Sequence, residues 1–87
     1  MTTNPDAIED ELRRYLLAEF LPGESPANLR DDTPLRTGGI LDSVATLKVV
    51  SFVEQRFAIE VEAHEAGVEH FDRIADIATL VRRKRGR

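Results

Sequence analysis

Few side chains in this sequence could do chemistry. Ser43 follows Asp42 in "GGILDSVATL" (38–47), two histidines lie six apart in "HEAGVEH" (64–70), and there is no cysteine. Ser43 as a hydrolytic nucleophile would need a base and an oxyanion hole, but it lacks the G-x-S-x-G turn that presents such a serine. A chain of 87 residues also leaves little room for a substrate pocket. Zincin-type metal binding needs histidines four apart on one helical face. A spacing of six puts His64 and His70 about 240° apart around a helix, on different faces, so no metal site is expected. The lack of cysteine excludes disulfides and thiolate–metal sites, so any thiol must come from outside.

Ser43 has two readings. Serine is a favoured helix N-cap, yet Asp42 immediately before it caps equally well, so one of the two is redundant. If Asp42 caps, Ser43 is the first helical residue and its hydroxyl points outward at the loop–helix corner. Gly38 and Gly39 are expected to leave that corner uncrowded. A phosphodiester attached there would meet the positive end of the helix dipole. The position fits covalent modification better than catalysis.

The elements that must place this serine read as helical. Asn4 can cap a first helix over about 5–20, Pro5 suits its first position, and Asp6, Glu9, Asp10 and Glu11 favour its positive end. Ile8, Leu12, Tyr15, Leu16 and Phe20 form its apolar stripe, and Pro22-Gly23 ends it. Residues 22–41, "PGESPANLRDDTPLRTGGIL", make a long loop without strand-like alternation, and loops of this length are usually functional or disordered. Leu29, Leu35, Ile40 and Leu41 can pin it to the core. A second helix starts at Asp42 or Ser43 and runs to about Phe57, with Leu47, Val50, Val53 and Phe57 on one face and Val49 widening it. A short turn is expected near 65–70, beside Gly67. The last helix is expected to be capped by Asp72, with Ile74, Ile77, Leu80 and Val81 inward. The fold class is therefore all-α, a four-helix bundle of three longer helices and one short one, with a long first loop.

Composition narrows the function classes. The chain is 41% hydrophobic and 32% charged, as expected of a soluble globular protein. No apolar run nears the roughly 18 residues of a membrane span. The acidic start has no apolar signal core, so a cytoplasmic location is expected. The formal charge is −4, but "RRKRGR" (82–87) holds five of the twelve basic residues. Residues 1–81 then carry seven basic against sixteen acidic side chains, a net −9. We read residues 1–82 as one domain and 83–87 as a basic tail. An acidic body disfavours nucleic acid.

With these elements in order, the sequence resembles the acyl carrier and peptidyl carrier protein family. "GILDSVATLKVV" matches the family's Asp-Ser-hydrophobic motif at Asp42, Ser43 and Val44, and helix order, long first loop and length agree over residues 5–82. "GILDS", and "HFDRI" at 70–74, most resemble stand-alone aminoacyl carriers of the D-alanyl carrier type. The resemblance implies a non-catalytic protein with phosphopantetheine on Ser43, whose thiol holds an acyl or aminoacyl group as a thioester. A phosphopantetheinyl transferase using coenzyme A and magnesium would load it, with Asp42 orienting the helix start and helping to hold the transferase's metal.

Further implied partners are an adenylating acyl or aminoacyl ligase and a downstream acyltransferase or synthase, met by a monomer through rapid, weak docking. Val44, Leu47 and Lys48 would contact them, with Phe71 as the opposite lip. Fatty-acid carriers tend to have acids or methionine where this chain has Ala45, Lys48, Ser51 and Arg56, and only Glu54 keeps the expected charge. That departure favours a dedicated pathway over a fatty-acid or polyketide synthase, which is the alternative within the family. The alternative outside it is an unmodified helical adaptor or a nucleic-acid-binding module that uses the basic tail.

Overall fold

The computed structural model describes residues 7–86, and every element among them is helical. Helix α1 spans Ala7–Phe20, α2 Ser43–Phe57, α3 Val68–Phe71 and α4 Ile74–Arg85, with single 3-10 turns at Pro26–Asn28 and Ala63–Glu65. The expected cap Asn4, with Pro5 and Asp6, lies outside the described residues. No described helix is long and apolar enough to cross a membrane.

The core gathers one stripe from each helix. Leu12 and Leu16 of α1 meet Val49, Val53 and Phe57 of α2, Phe71 of α3, and Ile74, Ile77, Leu80 and Val81 of α4. Helix α2 is rotated slightly from the expected face. Its inward row is Thr46, Val49, Val53 and Phe57, Val50 is only half-buried, and Leu47 faces solvent. Both rows have helical spacing, and hydropathy alone prefers Leu47 to Thr46. The buried Thr46 is tolerated because its hydroxyl donates to the Asp42 carbonyl at 2.8 Å, so no polar atom is left unsatisfied.

The first and last helices are latched by charge. Glu9, almost fully buried on α1, accepts two hydrogen bonds from the Arg82 guanidinium at 2.8 and 2.6 Å. That pairing holds the Glu9 carboxyl below its ordinary value of 4.5. Helix α4 continues through Arg85, so the basic run expected as a tail beginning at residue 83 is largely helical. Lys84 pairs with Glu65, and the cations of the last turn complement the negative helix end.

Residues 21–42 form an ordered loop. Leu29, Leu35 and Leu41 are buried and Ile40 is half-buried. Each buried leucine contributes roughly 1.5–3 kcal/mol. Hydrogen bonds supply further anchors. The Arg13 Nε donates to the Leu29 carbonyl at 2.8 Å and its guanidinium pairs with Asp31. The Ala75 N–H of α4 donates to the Asp31 carbonyl at 3.0 Å.

Helix α2 ends on Ala58, at φ 57° and ψ 47°, whose N–H closes onto the Glu54 carbonyl. This left-handed cap suits glycine, and an L side chain there costs roughly 1–2 kcal/mol. Ala58→Gly is expected to stabilise the fold by about 1 kcal/mol, raising Tm by roughly 4–8 °C. Thermal unfolding by circular dichroism checks this, and a lower Tm would contradict it.

Candidate functional site

Asp42 is the N-cap of α2. Its Oδ1 accepts from the Ala45 N–H at 2.7 Å, and its carbonyl accepts from the Thr46 N–H at 2.9 Å. Ser43 is thereby relieved of capping. It is the first residue of α2, it is exposed, and no hydrogen bond engages its hydroxyl among the described residues. The acceptor that serves the helix and the hydroxyl that stands free are adjacent in sequence and separate in role.

The loop before Ser43 is set by Asp72. One of its carboxylate oxygens accepts from the main-chain N–H groups of Arg36 and Thr37, at 2.9 Å each. The Thr37 hydroxyl donates to the same carboxylate at 3.0 Å, and the Leu35 N–H donates to the Asp72 carbonyl. These bonds, the two Thr37 main-chain and side-chain donors foremost, hold the Asp72 carboxyl below its ordinary value of 3.8. The expectation that Asp72 caps the last helix is therefore corrected. The N-cap of α4 is Arg73, with no side-chain bond, and an orphan N–H there is met by the loop carbonyl of Asp31.

Gly38 and Gly39 are demanded by the turn itself. A Cβ on Gly38 would stand 2.2 Å from the Pro34 carbonyl oxygen, and Gly39 has φ +83°. An uncrowded corner is a by-product of that requirement.

The ridge of α2 beside Ser43 is apolar, with Lys48 as its cation. Val44 is 66% and Leu47 62% exposed, Lys48 is exposed, and no ion pair engages Lys48 among the described residues. Phe71 does not belong here. It is fully buried, because α3 is a single turn that drives its aromatic residue into the core. Val68, 43% exposed on the same turn, was missed by the sequence reading. With only one turn, hydropathy could not tell which apolar residue faced in. Gly67, next to Val68, lines the same open depression as Ser43, Arg36, Thr46 and Leu47.

A second groove runs between α1 and α2, with Val44, Leu47 and Lys48 on one side and Tyr15 on the other. The Tyr15 ring stacks on Phe52, with centroids 4.0 Å apart and planes within 10°, and burial pushes its phenol above 10.0. The histidines are apart in role as in spacing. His64 is exposed on the 3-10 turn and His70 half-buried on α3, and among the described residues no group of three or more His, Cys, Asp or Glu side chains could hold a metal.

No protein-family model matches this chain, and no curated protein matches it. What the site can do therefore rests on its own geometry: a free, exposed hydroxyl at a capped helix start, on a clamped loop, within an apolar surface.

The Asp72 clamp yields a pH dependence. Its folded-state pKa lies below the unfolded value, so its stabilisation is full above about pH 5 and is lost as pH falls through the depressed value. Asp72→Asn is expected to unfold more easily than the wild type at neutral pH. The gap should close as pH falls below the ordinary value of 3.8 and the wild-type carboxylate takes up its proton. Urea unfolding across that range reads the difference, and a gap that stayed constant with pH would remove the charge from the clamp.

Proposed function

We propose that this protein is a carrier whose Ser43 hydroxyl is the attachment point for phosphopantetheine. The observation that carries the reading is the division of labour at 42–43: Asp42 caps α2, leaving an exposed serine hydroxyl with nothing to hold among the described residues. An enclosed or hydrogen-bonded hydroxyl would not fit an arm delivered by another enzyme, and this one does. In loading, Ser43 Oγ attacks the phosphorus of the coenzyme A pyrophosphate that bears the pantetheine. The new serine ester bond forms as the phosphoanhydride bond breaks, adenosine bisphosphate leaves, and the serine proton passes to a base of the transferase. Once bound, the arm supplies a thiol that holds an acyl or aminoacyl group as a thioester.

The protein's own residues then present and guide. Asp42 fixes the helix start. Val44, Leu47 and Lys48 offer partner enzymes an apolar ridge with a positive point, and Val68 replaces Phe71 as the candidate across the depression. The α2 surface supports a dedicated ligase rather than a fatty-acid or polyketide synthase. Glu54, the one acid of α2, turns back to accept from the Val61 N–H at 2.9 Å, so an acidic recognition face is lacking. An unmodified nucleic-acid binder is less well supported, because Arg82 and Lys84 are already engaged by Glu9 and Glu65.

Incubation with coenzyme A, magnesium and a broad-specificity phosphopantetheinyl transferase is expected to add the mass of one arm to the wild type and none to Ser43→Ala. The alanine variant should keep its helical spectrum, with Tm within a few degrees, since the cap belongs to Asp42. Equal loading of both, or of neither, would refute the proposal. Aminoacylation of the loaded protein by an adenylating ligase would place it in a dedicated pathway, and malonyl transfer would place it with the synthases.

A further inference from the structure

An arm on Ser43 begins with a phosphodiester, a permanent monoanion, and the structure places one cation beside its point of attachment. Arg36 and Ser43 line the same open depression, whose other walls are apolar residues, Thr46 and Gly67. No carboxylate lines it. The two acids closest in sequence to these residues or bonded to them are committed elsewhere: Asp42 Oδ1 to the Ala45 N–H, and the Asp72 carboxylate to the main chain at Arg36 and Thr37 and the Thr37 hydroxyl.

The Arg36 backbone is thus fixed while its side chain is not. Arg13, Arg56 and Arg82 each pair with a carboxylate. Arg36 is half-buried, and no ion pair engages its guanidinium among the described residues. A half-buried arginine that no ion pair engages among the described residues, in a depression shared with a free hydroxyl, is suited to an anion carried by that hydroxyl.

We propose that Arg36 holds the phosphate of a phosphoester on Ser43, its guanidinium donating to the two non-bridging oxygens. The inference rests on the carrier reading and adds a positioning residue to it. Arginine's planar fork matches two phosphate oxygens at once, where lysine offers a point charge. The contact fixes the root of the arm and leaves the remainder free to swing. Because the bonds to Asp72 come from the Arg36 main chain, changing the side chain leaves the loop clamp in place.

The wild type, Arg36→Gln and Arg36→Lys are loaded from coenzyme A by a phosphopantetheinyl transferase, and intact mass confirms one arm per chain. The readouts are the phosphorus resonance of the arm, the Arg36 Nε–Hε resonance, and amide exchange over residues 43–46. In the wild type, loading should move the Arg36 side-chain resonance and slow exchange about 10-fold, as one charge-assisted contact would. Arg36→Gln should load yet show a shifted phosphorus signal and no slowing, with Arg36→Lys between the two. Loaded wild type and Arg36→Gln with the same phosphorus signal and exchange would overturn the role of Arg36 and leave the carrier reading standing. Failure of Ser43 to load in all three would overturn both.

Discussion

The Asp72 carboxylate is the constraint on which the site depends. It lies at the junction of α3 and α4, yet its acceptors are spent on a loop 35 and 36 residues earlier. That choice fixes the loop at Arg36–Thr37 and thereby delivers the glycine turn, Leu41 and the start of α2 in one piece. It also requires another partner for the N-terminus of α4, which the Asp31 carbonyl provides. Loop and helix junction therefore stabilise each other, and neither is ordered by its own sequence alone.

Charge is distributed so that structure and surface use different residues. The arginines at 13, 56 and 82 and the lysine at 84 are bound to carboxylates within the fold. Lys48, beside Val44 and Leu47, is left to solvent, as an isolated positive point on an apolar ridge. Such a surface has little affinity of its own at exposed charges and relies on a partner that buries the valine and leucine.

Periodicity made the bundle legible. The stripes Leu12–Leu16 and Ile74–Ile77–Leu80–Val81, the start of α2 behind Asp42, and the leucines that pin the loop all follow from spacing and capping preference. Three features did not follow, for local reasons. Thr46 displaced Leu47 from the core because a back-bonded hydroxyl can be buried at no polar cost. Phe71 went inward and Val68 outward because four residues are too few to define a face. Asp72 had the form of an N-cap and acted as a loop clamp, a long-range hydrogen-bonding choice with no signature in nearby residues. At the site, Ser43 and Asp42 were legible from their order alone, whereas Arg36 became visible only when the loop was folded beside α2.

The pairing of Glu9 with Arg82 bridges 73 positions of chain. During synthesis α1 emerges long before its counter-charge exists, so a nascent α1 must wait with an unmatched acid and an uncovered stripe. Bundle closure then waits until α4 has been made. The protein should consequently fold as one late, cooperative event instead of helix by helix.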